Sequence, residues 1–190
     1  VGAVSAANAL VGSTANDQVG AGVTALTNGN YVVTSYNWDN GAITNAGAVT
    51  WGNGSTGVSG LVSAANSLVG STASDQVGSS TVTALTNGNY VVRSNGWDNG
   101  ATINVGAVTW SNGLGGTVGA VSATNSLVGS TASDQVGGNG VTALTNGNYV
   151  VTSLSWDNGA IVDASAVTWG NGLGGTVGAV SATNSLVGST

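Results

Sequence analysis

Seven aspartates, one arginine and four tyrosines are the ionisable side chains of this 190-residue sequence, which has no glutamate, lysine, histidine or cysteine. A general base would therefore have to be Asp, and a serine nucleophile would lack its usual activating partner. The absence of cysteine removes disulfides, thiolate metal sites and thiol catalysis. Six aspartates recur in two sets, Asp17, Asp75 and Asp134 in an Asp-Gln turn and Asp39, Asp98 and Asp157 directly after tryptophan, with Asp163 alone. A catalytic site usually breaks a repeat, and these do not, so the expectation is that the chain is not an enzyme. Asp and Asn oxygens suit a hard cation, which makes Asp39, Asp98 and Asp157 weak calcium candidates. One carboxylate per loop is few for calcium, and an Asx turn, in which the side chain bonds its own backbone, explains Trp-Asp-Asn-Gly without a metal. No cofactor is expected.

The aromatic residues form the other candidate set. Trp38, Trp97 and Trp156 stand 59 residues apart, as do Trp51, Trp110 and Trp169, and as do Tyr31, Tyr90 and Tyr149. Two readings compete for them: packing anchors in each unit, or a ligand-contacting row that stacks on a sugar. Fixed positions in every unit favour packing. Arg93, which replaces Thr34 and Thr152, reads as a surface variant.

What positions these residues is a 59-residue beat. The organisation reads as a partial unit over 1–14, the last strand of a preceding repeat, followed by units over 15–72, 73–131 and 132–190. Residues 1–14 and 177–190 are the same element, differing only at Ala7 against Thr183 and Ala9 against Ser185. In the first unit Val23 to Leu26 reads as a strand, and Thr27-Asn28-Gly29-Asn30 as a hairpin turn in which Asn-Gly supplies the positive φ values. Tyr31 to Ser35 returns, Gly47 to Trp51 follows, and Leu61 to Thr72 is a fourth strand, long or divided around Asn66. Gly, Asn, Val and Thr dominate, which favours strands and turns over helices. Tyr31, Val32 and Val33 are consecutive and apolar, as expected of a sheet covered on both faces by its neighbours. The fold class is all-β: tandem four-stranded antiparallel units resembling propeller blades, with a β-solenoid of about 20-residue coils as the alternative.

A formal net charge of −6 with one cation argues against nucleic acid, whose phosphates call for Lys and Arg. No apolar run approaches the roughly 18–20 residues that span a bilayer as a helix, so membrane insertion is not expected. The absence of Met points to an internal or processed piece of a longer chain.

Gly70, Ser71, Asp75, Val77, Gly78, Val82, Ala84, Leu85, Val91, Val92, Gly106, Ala107 and Val108 together resemble the FG-GAP repeat, the blade of integrin α-type β-propellers. Two features depart from that family: its Phe-Gly is Val19-Gly20, Val77-Gly78 and Val136-Gly137 here, and its Asp-rich calcium loops have no full counterpart. The array also resembles repeat tracts of large secreted adhesins of the filamentous-haemagglutinin type. That resemblance implies an extracellular or cell-surface setting and a structural, adhesive role. The partners then expected are other copies of the same repeat, in a homopolymer or a longer chain. A glycan- or protein-binding propeller is the competing reading. The matching ends suggest joining by strand addition, which would also cover exposed edges.

Overall fold

A computed structural model describes residues 2–189. Val1 and Thr190, the outermost residues of the first and last segments, lie outside that range. The described residues are all-β, with strands β1 (Leu10–Val11), β2 (Gly22–Ala25), β3 (Tyr31–Ser35), β4 (Ala48–Gly52), β5 (Gly60–Leu61), β6 (Ser67–Val69), β7 (Thr81–Ala84), β8 (Tyr90–Ser94), β9 (Ala107–Ser111), β10 (Gly119–Ala120), β11 (Leu127–Val128), β12 (Gly140–Ala143), β13 (Tyr149–Ser153), β14 (Ala166–Gly170), β15 (Gly178–Ala179) and β16 (Ser185–Val187).

Each unit builds one antiparallel sheet in chain order: β2-β3-β4-β6, β7-β8-β9-β11 and β12-β13-β14-β16. The register repeats with the sequence, Val32 facing Trp51 as Val91 faces Trp110 and Val150 faces Trp169. These are tandem sheet units of the expected kind, with Val- and Thr-rich strands laid on a pleat.

The fourth stretch is divided, and the division has a topological consequence. Its first half leaves the unit: β5 pairs in parallel with β1, β10 with β6 and β15 with β11. The first two complete sheets therefore gain a fifth, parallel strand from the unit that follows. Between the halves Asn66 ties the turn, its Oδ1 accepting from Ser63 N at 2.9 Å and its Nδ2 donating to the Leu61 carbonyl at 2.8 Å.

The Asn-Gly hairpin also differs in detail from the two-residue turn. Gly29 N donates to the Leu26 carbonyl at 3.1 Å and Leu26 N to the Asn30 carbonyl at 2.8 Å, so the loop has three residues, and only Gly29 takes positive φ, at 87°. This is a turn closed by a left-handed glycine. Asn28 is thereby released from any backbone duty that would need φ > 0, and its side chain serves the next unit.

The core lies between the sheets. Val32, Val49 and Leu68 of the first unit pack with Tyr90 and Val92 of the second, and Val91, Val108 and Leu127 of the second with Tyr149 and Val151 of the third. Alternation along a strand therefore sends successive side chains into two different interfaces.

Candidate functional site

The seam between units is the most elaborate polar arrangement in the chain. Asn28 Oδ1 accepts from Asn30 N at 3.1 Å, which holds the side chain with its amide donor pointing out of the turn. Asn28 Nδ2 and Asn30 Nδ2, each at 2.9 Å, and Trp51 Nε1 at 2.8 Å then all donate to one acceptor, the Gly113 carbonyl of the next unit. The second seam is the same: Asn87 Nδ2 and Asn89 Nδ2 at 2.8 Å and Trp110 Nε1 at 3.0 Å converge on the Gly172 carbonyl. Gly113 N is in turn held by Asn89 Oδ1 of its own unit at 3.0 Å. Each Asn of the Asn-Gly-Asn turn thus positions a local backbone group and reaches for a neighbour. A side chain at Gly113 would overlap the Gly88 carbonyl, so only glycine fits the acceptor position.

A second device clasps the chain where one unit passes into the next. Asp75 is fully buried, and its Oδ2 accepts from Ser71 N and Thr72 N, both at 2.7 Å, while Oδ1 accepts from Asp98 N at 3.0 Å. Asp134 repeats this with Ser130 N at 2.7 Å, Thr131 N at 2.8 Å and Asp157 N at 3.1 Å. Asp17 does so with Ser13 N, Thr14 N and Asp39 N, and takes the Thr14 hydroxyl as well at 2.6 Å. Burial raises Asp75 above the ordinary carboxylate value despite the three N–H donors. At Asp17 burial acts in the same direction, but the Thr14 hydroxyl and the N–H groups of Thr14, Asp39 and Ser13 outweigh it and lower the value. Beside the clasp, Ser74, Gln76 and Val77 donate their N–H groups to the Thr44, Asn45 and Ala46 carbonyls of the preceding unit, at 3.0–3.1 Å. Residues 73–77 are therefore fastened to the unit before the 72/73 division.

The calcium candidates lie in the loops that this clasp fixes. Asp39 Oδ1 accepts from Asn45 N and Asp98 Oδ1 from Asn104 N, both at 2.7 Å, and Asp157 Oδ1 from Asp163 N at 2.9 Å. Each carboxylate closes its own loop by accepting the backbone N–H six residues on, a longer reach than that of the expected Asx turn. Among the described residues no three acidic side chains come together.

The aromatic residues divide by role. Trp38, Trp97 and Trp156 are 3%, 2% and 4% exposed, so their rings face protein rather than solvent. Their indole N–H groups have no protein partner. Trp51 and Trp110 are the seam donors, and Trp169, their counterpart in the last unit, is 52% exposed. Tyr90 and Tyr149 are buried between sheets, and Tyr31, with no described unit behind it, is half-buried.

Burial pushes the Tyr90 and Tyr149 phenols up to about 12. The unfolded chain ionises first, near pH 10, so their contribution is full below that value and is lost as pH rises through about 12. The expected loss is about 2–3 kcal/mol for each. The Tyr149 hydroxyl also lacks a hydrogen-bond partner. Tyr149→Phe is therefore expected to be neutral or slightly stabilising at pH 7 and to remove about half of the alkaline destabilisation. Urea midpoints measured from pH 8 to 11.5 check both outcomes.

Arg93 is not a mere surface variant. Its guanidinium donates to the Gly137 carbonyl at 2.7 Å and the Gly138 carbonyl at 2.9 Å, both in the third unit, and to Thr81 Oγ1 at 3.0 Å. The one cation is a strut between units, and half-burial lowers its pKa.

The corresponding face of the third unit is exposed among the described residues. Val91, Val108 and Leu127 are fully covered in the second unit, whereas Val167 is 39% and Leu186 80% exposed in the third. Val150, Val167, Trp169 and Leu186 line an apolar groove there. Burying a Val or Leu side chain contributes on the order of 1.5–3 kcal/mol, so covering this face contributes several kcal/mol in each of the first two units. The sequence reading found the tryptophans and tyrosines but missed Asn28, Asn30, Asn87 and Asn89 as inter-unit donors and Gly113 and Gly172 as acceptors. Their strict recurrence was the only signal.

Comparison with known proteins gives a match to the model of one family, described as a repeat of unknown function (DUF5650), over residues 1–21, 25–79, 84–138 and 143–190. Its internal copies run from the β2 or β7 region through the Val-Gly after the Asp clasp, in keeping with the fastening of residues 73–77 to the preceding unit. No curated protein matches the chain.

Proposed function

The chain belongs to the DUF5650 repeat family, and from that membership and the geometry of its seams we propose that it is a structural repeat segment of an extracellular fibre or cell-surface adhesin, built by stacking sheet units. The observation that carries this reading is the convergence of three side-chain donors on one main-chain carbonyl at each seam. Elaborate polar chemistry in this chain is spent on holding the next repeat. Its partners are other copies of the repeat, in one long chain or between chains. Kinship with FG-GAP blades is part of the proposal. It is supported by the four-stranded sheets in chain order and by Val77-Gly78 at the Phe-Gly position, where Val77 is fully buried.

A row of sugar-stacking tryptophans would need exposed rings, and Trp38, Trp97 and Trp156 do not offer them. Antibody raised against the three-unit protein should label intact, unpermeabilised cells that carry the gene and decorate filaments in electron micrographs. Labelling only after permeabilisation would overturn the extracellular assignment.

A further inference from the structure

The two junctions between units differ where the turn before one unit's first strand meets the sheet of the unit before it. At the second junction Arg93 crosses over, its Nε donating to the Gly137 carbonyl at 2.7 Å and its Nη2 to the Gly138 carbonyl at 2.9 Å. Two successive main-chain carbonyls thus receive one guanidinium fork. At the first junction the equivalent carbonyls are those of Gly78 and Ser79, and the turn that carries them is built alike. Ser79 N donates to the Gln76 carbonyl at 2.9 Å as Gly138 N does to the Gln135 carbonyl at 2.7 Å, and Gly78 and Gly137 take positive φ, at 82° and 76°. The residue facing this turn is Thr34, which pairs with Gly22 as Arg93 pairs with Thr81. Thr34 does not cross: its hydroxyl meets the Gly22 carbonyl of its own sheet at 3.4 Å. Among the described residues, no hydrogen bond reaches the Gly78 or Ser79 carbonyl.

What lies there is a groove of about 260 Å³ whose lining includes Ala21, Gly22, Thr34, Tyr36, Gly78 and Ser79. Both of its walls, β2 and β7 with the turns before them, are internal to the chain. Gly22 stands where the second junction has Thr81, and a Cβ there would meet the Thr34 hydroxyl at 2.7 Å, so glycine keeps this wall open. Tyr36 stands where the second unit has Asn95 and the third Leu154, and it is the one tyrosine outside the 59-residue beat.

We propose that this groove binds a guanidinium group, an arginine carried by another molecule taking at the first junction the place that Arg93 holds at the second. The Gly78 and Ser79 carbonyls accept from its fork, and half-buried Tyr36 supplies an aromatic neighbour of the kind on which guanidinium groups stack. A planar fork bridges two adjacent carbonyls, whereas an ammonium offers a compact point charge, so the site prefers arginine to lysine. The net charge of −6, with the one cation already engaged in its own strut, draws cationic ligands toward the chain. The site needs only the contact between the first two units, whatever the setting of the protein.

The test is a nuclear magnetic resonance titration of the 190-residue protein with acetyl-Gly-Arg-Gly-amide, its lysine counterpart and free L-arginine, following the Ser79 and Ser80 amides and the Tyr36 ring. The arginine peptide should give saturable shifts at these groups, and the lysine peptide should bind about tenfold more weakly. Thr34→Arg fills the groove from within, as Arg93 does one unit on, and should abolish the shifts. Tyr36→Asn, which installs the residue type of the second unit, should weaken arginine binding about two- to fivefold. Peptide binding at least as tight as that of free arginine assigns the group to a polypeptide partner; tighter binding of free arginine assigns it to a small solute. If Thr34→Arg does not fold by circular dichroism, the Tyr36→Asn comparison decides. Arginine binding unchanged in the variants that fold, equal binding of the lysine peptide, or no saturable shift with either arginine probe would overturn the site.

Discussion

Gly113→Ala is expected to destabilise the protein by about 4–6 kcal/mol, and so is Gly172→Ala at the equivalent position of the second seam. At Gly113 the added Cβ would overlap the Gly88 carbonyl oxygen, a backbone atom of the turn that cannot rotate aside. Overpacking of that kind costs about 1–3 kcal/mol, and the relief available is to move residue 113 outward. That movement draws its carbonyl away from Asn28, Asn30 and Trp51 together, and each hydrogen bond lost costs about 1 kcal/mol. Gly115→Ala, two residues on at an exposed position with open space around its Cα, is the control and should change stability by less than about 0.5 kcal/mol. Urea denaturation gives the stability difference. The Trp51 indole N–H resonance, shifted and fast-exchanging in Gly113→Ala alone, would locate the damage at the seam.

Asp75→Ala ranks next, at about 3 kcal/mol. It leaves the N–H groups of Ser71, Thr72 and Asp98 without their acceptor in a fully buried position, and unmade buried bonds cost about 1–3 kcal/mol each before relaxation. Asp75→Asn keeps one accepting oxygen but turns its amide NH2 toward a donor N–H, so it should cost about 2 kcal/mol, less than Asp75→Ala. Burial raises the Asp75 pKa against its three N–H donors, which makes the clasp sensitive to pH. The sign follows from linkage. The Asp75 contribution is full below the unfolded carboxylate value of 3.8 and falls as pH rises through the higher folded value. Asp17, whose value is lowered, contributes in the opposite sense, with stability present above 3.8 and lost as pH falls through its folded value. Acid titrations of the wild type and Asp75→Asn, followed by tryptophan fluorescence, separate the two.

Much of this fold was legible in the sequence because its signals are local. The strand from Tyr31 to Ser35 falls where the β-branched run and the Asn-Gly turn place it, and the consecutive Tyr-Val-Val marks a sheet covered on both faces. The division of the fourth stretch around Asn66 was legible as an option, but the departure of β5 to the preceding unit was not. Two residues, Gly60 and Leu61, carry that pairing, and nothing in their types distinguishes a crossing strand from a loop. The seam stayed hidden for a related reason. Its acceptor is a main-chain carbonyl, which every residue has, and only the requirement for glycine at position 113 leaves a trace. Asn28 is read from sequence as a turn former, and its reach to Gly113, 85 residues on, exists only once two units are stacked. Arg93 was misread because its partners, the Gly137 and Gly138 carbonyls, belong to the next unit.

The central claim is that these units are stabilised by each other through a repeating seam. Its most direct measurement is equilibrium unfolding of proteins with three, four and five tandem units under one set of conditions. Nearest-neighbour coupling predicts that the denaturation midpoint and the steepness of the transition both rise with each added unit, since every addition contributes one more filled seam. A midpoint and steepness that do not change from three units to five would mean that the units fold independently, and would contradict the account.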